Sequence, residues 1–383
     1  MKRLAIITTH PIQYYAPVFR LLHQRGNISV KVFYTWGDGA MQKHDPGFNR
    51  IIEWDIPLLD GYPYEWVVNT STDPGSHHFK GIINPALNSQ VAAWQPDALL
   101  VFGWAYSSHL GVMRHFKNKL PVYFRGDSTL LDERSGLKSA IRSLFLKWVY
   151  KHADHAFYVG TNNRRYFEAY GFELSRLTFA PHAVDNERFA DNRTAGALKL
   201  RHDLGIDADD ILVLFAGKLE EKKSPGLLLN AFLNLPPGNV HLLFAGSGNL
   251  KQYLEDKAFG NKHVHFIDFQ NQQQMPVIYQ ACNLFCLPSK GPGETWGLAV
   301  NEAMAGGKAV LVADKVGCAI DLVKPGYNGY IFKSGDENSL LTCLTELTRS
   351  KKILEKFGEN SGKIIADWNF KKIAEAIENK LTE

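Results

Sequence analysis

Short, almost unbroken apolar runs recur along the chain, and stretches with helical spacing separate them. In the first half, the runs at 4–8, 29–34, 98–102, 121–124, 156–159 and 177–180 predict strands, and 15–24 predicts a helix. A polar stretch follows at 191–210. The pattern then restarts, with strands predicted at 211–216, 240–245, 264–266, 284–287 and 309–312. Runs this uniformly apolar suit strands buried on both faces, the condition of a parallel sheet covered by helices. The alternation therefore predicts an α/β chain with two Rossmann-like parallel-sheet domains that meet near the polar stretch. Ligands of such sheets lie beyond the carboxyl ends of the strands, so the cleft between two domains is the expected site.

Composition narrows the function without naming it. A chain of 383 residues has room for two cores, and 45% hydrophobic with 21% charged residues is an ordinary globular balance. The net charge of +4 suits an anionic small molecule or a membrane surface, and no basic arm or zinc-finger spacing points to nucleic acid. Cys282, Cys286, Cys318 and Cys343 read as reduced core residues, which fits a cytoplasmic protein. The apolar run after Met1 is too short for a signal peptide, and no run reaches the length of a membrane span. The stretches 38–44 and 71–80 read as mobile loops. His77 and His78 adjoin in the second, but the sequence offers no clear set of further ligands, so no metal site is assigned.

The helical stretch 137–151 spaces Leu137, Ile141, Leu144, Phe145, Trp148 and Val149 along one face, with Lys138, Arg142, Lys147 and Lys151 largely elsewhere. The first reading is a core helix with a solvated cationic face. The second is a helix resting on anionic lipid at the inner membrane surface.

Two stretches carry the candidate chemistry. In the first, Glu294 precedes a predicted helix and Glu302 falls roughly one turn inside it, with Gly297 between them. Gly297 permits close backbone approach, and the helix start offers N–H groups to an anion. An anion flanked by two carboxylates suits a phosphate joined to a hydroxyl-rich group, as in a nucleotide sugar. The bland alternative is that acidic residues simply favour helix starts. In the second stretch, a strand ends at Gly217, lysines follow at 218, 222 and 223, and Ser224-Pro225 predicts a capped helix start. Lysines beyond a strand end are placed to neutralise a diphosphate leaving group, unless Glu220 and Glu221 reduce the cluster to surface charge. In the first half, His10 and Gln13 follow the first strand. Tyr106 and His109 lie beyond Gly103-Trp104, and Asp127 follows Arg125. His10, Gln13, His109 and Asp127 are candidates to orient an acceptor hydroxyl or relay its proton, although Asp127 has Arg125 as an alternative partner.

Taken in order, these stretches resemble the retaining GT-B glycosyltransferases of family 4, also called glycosyl transferases group 1. The resemblance rests on Pro181-His182-Ala183-Val184-Asp185 with Phe189, Gly217-Lys218-Leu219 with Lys223, and Ala245-Gly246-Ser247-Gly248. It continues through Glu294-Thr295-Trp296-Gly297-Leu298, Glu302-Ala303-Met304-Ala305 and Gly326-Tyr327-Asn328-Gly329-Tyr330. It covers most of residues 180–330, and the first half matches only in general pattern. The departures are Lys218 for arginine, Trp296 for phenylalanine, His182-Ala183 for Asn-Gly, and a first loop without paired glycines.

The resemblance implies an acceptor-binding domain at 1–187, a nucleotide-sugar-binding domain at 188–367, and a final helix at 368–383 packing back on the first. It implies that Lys218 and Lys223 hold the donor diphosphate, that Gly297 and Leu298 offer backbone N–H groups to it, and that Glu294 contacts the transferred sugar. Glu302 would meet the ribose, Phe269 and Gln270 the base, and Gly217 and Trp296 would line the donor site. No cofactor or metal is implied beyond a UDP- or GDP-sugar co-substrate. The implied acceptor is a glycan or lipid-linked hydroxyl in the biosynthesis of cell-surface polysaccharide or glycolipid; peripheral contact at the cytoplasmic membrane face comes only from the second reading of the stretch 137–151. A nucleotide-sugar epimerase or glycoside phosphorylase of the same fold, or a non-catalytic binding subunit, is the alternative.

Overall fold

The computed structural model of the chain describes residues 1–39, 44–45, 50–51, 53–133 and 135–383. Most of the stretch 38–44, expected to be a mobile loop, lies outside them. The chain divides into two compact units. One comprises 1–43, 56–181 and 370–383, and the other 44–55 and 182–369. The sequence expectation put the divisions at 187/188 and 367/368 and did not foresee the excursion at 44–55.

The first unit opens with β1 (Arg3–Thr8), α1 (Ala16–Arg25) and β2 (Ser29–Tyr34). A short antiparallel hairpin, β3 (His44–Asp45) and β4 (Arg50–Ile51), falls in the excursion. The first unit then continues with β5 (Tyr64–Trp66), α2 (Leu87–Ala93), β6 (Ala98–Phe102), α3 (Ser107–Phe116) and β7 (Val122–Arg125). It runs on through α4 (Leu137–Tyr150), β8 (His155–Tyr158), α5 (Thr161–Ala169) and β9 (Leu177–Phe179). Its seven-stranded sheet has the order β5-β2-β1-β6-β7-β8-β9, parallel throughout. Ala5, Ile7, Leu99, Val101 and Phe124 come from its central strands and pack with Val149, Tyr150 and Phe167 in one core.

In the second unit, α6 (Asn186–Ala190) and α7 (Thr194–Asp203) precede β10 (Ile211–Ala216), α8 (Pro225–Leu233), β11 (Val240–Ala245), α9 (Lys251–Lys257) and β12 (Val264–Ile267). There follow α10 (Met275–Ala281), β13 (Leu284–Leu287), α11 (Leu298–Ala305), β14 (Ala309–Ala313) and α12 (Ala319–Leu322). The unit closes with β15 (Gly329–Phe332), α13 (Glu337–Leu347) and α14 (Lys351–Ile365). The sheet order is β12-β11-β10-β13-β14-β15, again parallel. In both sheets the chain builds outward on one side and then crosses to the other. The crossing point lies between β1 and β6 in the first unit and between β10 and β13 in the second. In open parallel sheets that is where the loops part and leave room for a ligand.

The elements β5 and β15 were not foreseen. Both are short edge strands with partly exposed side chains, so neither shows the unbroken apolar run that marks a central strand.

Two helices of the first unit differ in how they pack. The last, α15 (Phe370–Thr382), buries Ile373, Ala374, Ile377 and Leu381. Glu378 on it accepts from Arg25 at 2.9 Å and from Asn27 at 3.1 Å, which fixes it beside the end of α1. On α4 the expectation of a buried apolar stripe fails. Leu137, Ile141, Leu144, Phe145 and Trp148 are exposed, and the helix is anchored instead by Leu146, Val149 and Tyr150. The apolar positions form two opposed faces, and linear spacing alone gave no means of choosing which one packs.

The loop at 71–80, expected to be mobile, is laced by hydrogen bonds. Asn69 accepts from Ser71 and Ile83 and donates to Gly81, and Ser71 Oγ donates to Lys80 O at 2.7 Å. Within it, His77 and His78 both approach the Asp73 carboxylate, at 3.3 and 3.2 Å. Their potential ligand atoms lie within 4.8 Å of one another, and pairing of the imidazoles with that carboxylate accounts for the grouping.

Candidate functional site

The second unit brings its two candidate stretches together at the crossing point of its sheet. Lys218 and Lys223 follow β10, and Glu294 follows the neighbouring β13. The Lys223 ammonium pairs with the Glu294 carboxylate across 71 positions of sequence. The side chains are only 22% and 10% exposed, so the pair is partly withdrawn from water. Ser289, fully buried at the end of β13, donates to the same carboxylate oxygen at 2.7 Å. Glu294 thus reaches the end of the sheet already oriented, with a cation beside it.

Glycines set the backbone around this pair. Leu219 N–H donates to Ser247 O at 3.0 Å, and Leu250 N–H to Leu219 O at 3.0 Å, lacing the loop after β10 to the loop after β11. At Gly246, which has φ +146°, a Cβ would lie 2.0 Å from Gly217 O, closer than any side chain permits. Gly297 has φ +96°, and a Cβ there would lie 2.7 Å from Val316 Cγ1. It is the N-terminal cap of α11 and brings no side chain to the first turn, where backbone N–H groups point outward.

One turn into α11, Glu302 is buried and accepts from Tyr279 O–H at 2.8 Å. Tyr279 is itself packed against Phe189 and Phe285. Neither Tyr279 nor Ser289 was selected from the sequence. Ser289 stands just past a strand-ending proline, a signal that was available, whereas Tyr279 sits in α10 with no motif around it. Phe269 and Gln270 follow β12, two strands along the sheet from β10. Phe269 is half-buried, with its ring 6.5 Å from that of Trp54, and Gln270 donates to Asp268 O at 3.1 Å.

Other motif residues prove to be scaffolding. Trp296, expected to line the donor site, is buried. Its indole N–H donates to Asn301 Oδ1 at 2.8 Å, and its ring packs near those of His182 and Trp368. It supports the loop from behind because Gly297 turns the chain sharply after it. Ser224 stands at the N-cap of α8, but its hydroxyl donates back to Glu221 O at 3.3 Å and caps nothing. Asp185 caps α6 by accepting from Arg188 N–H at 3.0 Å. Asn328, fully buried, accepts from Lys324 N–H and donates to Leu322 O, which shapes the turn before β15.

In the first unit, His10 and Gln13 follow β1, and Asp127 follows β7; all three are half-buried at strand ends. His10 Nδ1 is 2.8 Å from Thr9 Oγ1, and its ring meets Trp36 edge-on. Arg125 is buried and donates to Ala180 O and Pro181 O at 2.7 and 2.9 Å, so these carbonyls hold the guanidinium. The Asp127 charge is felt by both Arg125 and Tyr15. Burial raises the Tyr15 phenol well above its usual range, and Asp127 raises it further. His109 departs from expectation. It is fully buried, with Nε2 2.8 Å from Thr35 Oγ1 and Nδ1 facing Phe102 O and Gly103 O, and burial pushes its pKa down to about 4. This histidine ties a strand end to a helix and does not meet an acceptor.

Two parallel α/β units with cationic and acidic groups gathered at a strand-order crossing define a GT-B architecture. The family model described as "Glycosyl transferases group 1" matches residues 198–364, all within the second unit. Among curated relatives, an uncharacterized glycosyltransferase of Methanocaldococcus jannaschii is 32% identical over 136 residues, 34% of each chain. The D-inositol 3-phosphate glycosyltransferase of Nocardia farcinica is 28% identical over 207 residues, 51% of this chain and 45% of its own. The alignments thus span about a third to a half of those relatives. Among solved structures, Anabaena HepE in complex with UDP superposes with a TM-score of 0.75 at 19% identity, covering all of both chains. Sucrose-phosphate synthase of Thermosynechococcus elongatus gives 0.75 at 17% identity, covering 100% of this chain and 98% of that one. These likenesses establish the fold.

Proposed function

We propose that this protein is a retaining glycosyltransferase that moves a sugar from a UDP- or GDP-sugar to a hydroxyl of a glycan or lipid-linked acceptor. It works without a metal, in the cytoplasm or at the cytoplasmic membrane face. The observation that carries the reading is the Lys223–Glu294 pair beside the glycine-capped start of α11. It gathers positive charge, helix-start N–H groups and a carboxylate at one strand-order crossing, an arrangement whose chemistry suits a diphosphate that carries a hydroxyl-rich sugar. The group 1 domain match and the complexes with UDP and UDP-glucose solved for HepE, a protein of this fold, support it.

In the reaction, the bond from the sugar's anomeric carbon to the diphosphate oxygen breaks as the acceptor oxygen bonds to that carbon on the same face. The acceptor proton passes to the departing phosphate oxygen. Lys218 and Lys223 neutralise the charge that builds on the diphosphate, with the Gly297 and Leu298 N–H groups beside it. Glu294 holds the sugar, Glu302 the ribose, and the backbone near Phe269 and Gln270 the base. His10, Gln13 and Asp127 serve the acceptor side.

The test is release of UDP or GDP from a panel of nucleotide sugars, with and without glycan acceptors, in EDTA, with product stereochemistry read by NMR. Acceptor-dependent release with the anomeric configuration kept is expected. Interconversion of the donor without acceptor would show an epimerase, and binding without turnover would show a non-catalytic subunit; either overturns the proposal.

A further inference from the structure

The outward face of α4 poses a problem that the transfer chemistry does not answer. Leu137 is 78% exposed, Leu144 70% and Ile141 60%, with Phe145 and Trp148 beside them, on a helix already anchored through Leu146, Val149 and Tyr150. A helix advances about 100° per residue, which puts these five side chains on one stripe opposite the anchoring face. The cations flank that stripe in two pairs. Lys138 and Arg142 lie along one edge, Lys147 and Lys151 along the other, and the helix itself contains no acidic residue. Arg142 is held by Glu133. A further cation, Arg114 of α3, stands 5.5 Å from the Trp148 ring.

The aromatic side chains form a connected row. Trp148 stacks on Phe145 at 5.7 Å, and Phe145 meets Trp104 at 5.6 Å. Trp104 follows β6, so the row runs from the helix to the carboxyl end of the sheet.

We propose that this face docks the protein on a membrane of anionic lipid. The apolar stripe enters the acyl boundary, the rings of Phe145 and Trp148 sit at headgroup depth, and the flanking lysines reach lipid phosphates on both sides. A protein partner would need only the apolar stripe. Cations along both of its edges match a negatively charged plane. The inference deepens the membrane-face part of the function proposed above by naming the surface and its lipid, and it stands apart from the transfer chemistry.

The experiment is flotation of the full chain, without donor, with vesicles of phosphatidylcholine alone or with about 30 mol% phosphatidylglycerol. Wild type is expected to float with the anionic vesicles and far less with the neutral ones. Ile141→Glu with Leu144→Glu is expected to abolish flotation, while far-UV circular dichroism and the thermal melt stay unchanged because both side chains are exposed. Lys138→Gln with Lys147→Gln is expected to weaken anionic binding about 25-fold, at roughly fivefold per cation. No flotation of wild type, flotation unaffected by either variant, or a wild-type oligomer in solution that the glutamates dissolve would overturn the proposal. Nucleotide release with a soluble acceptor should be unchanged in all of them, so failure at the membrane is distinguishable from failure of the transfer reading.

Discussion

Replacing Lys223 by alanine separates two duties that the structure superimposes on one ammonium group. Lys223 holds Glu294, and on the proposed chemistry it also meets the departing diphosphate. If it only held Glu294, the loss would be one charge-assisted hydrogen bond, about 1.5–3 kcal/mol, because Ser289 still donates to the carboxylate. At about 2–4 °C per kcal/mol for a domain of this size, the melt would fall by about 3–12 °C. Turnover would then be nearly intact. If Lys223 also stabilises the leaving group, turnover should fall on the order of 10²–10³-fold, or about 2.7–4 kcal/mol, as for the loss of one donor to developing negative charge. The assay is initial release of nucleoside diphosphate at saturating donor, run beside the thermal melt. Lys223→Arg retains the charge and should recover at least about tenfold of the lost rate. A Lys223→Ala enzyme within about threefold of wild-type kcat, with its melt lowered, would refute the leaving-group role and leave Lys223 as a support for Glu294.

Glu302→Gln should raise the donor KM by roughly tenfold or more with a smaller effect on kcat, and Tyr279→Phe should do the same by roughly fivefold; unchanged donor KM in both would remove Glu302 from the ribose. Gly246→Ala should lower stability by at least about 2 kcal/mol, because its Cβ would sit 2.0 Å from Gly217 O, and an unshifted melt would contradict the lacing. Burial holds His109 and His155 neutral, with pKa values of about 4, so the unfolded chain takes up their protons first as pH falls. Their contribution is complete above about pH 6.5 and is lost on descent toward pH 4, each by up to ~3 kcal/mol. Urea midpoints at pH 7.5 and pH 5 should show the fall, and His109→Gln should flatten it.

Strands buried on both faces carry their own label, and β10, β11 and β13 matched the predicted ranges for that reason. Edge strands such as β5 do not, since half their surface meets water. The placement of Glu294, Lys223 and Gly297 at strand ends or a helix start was legible, because a strand-ending proline and the helix-start glycine mark those points along the chain. Trp296 was misread because adjacency along the chain does not fix which way a ring points once a left-handed glycine follows it. His109 was misread because a strand end fills its first helical turn as readily as a substrate would. The face of α4 that packs was invisible, since both of its faces are apolar.

Helix α11 acts as a gauge. Leu298 and Glu302 are four residues apart on one rigid helix, so the first-turn amides and the buried carboxylate are held about 6 Å apart along its axis. The helix starts where Val316 and Leu287 leave no space for a Cβ at Gly297. Single substitutions in this segment alter one tooth of the gauge. Inserting one residue between Gly297 and Glu302 would instead turn the carboxylate by about 100° and lengthen the interval, upsetting the whole scale while every side chain is kept.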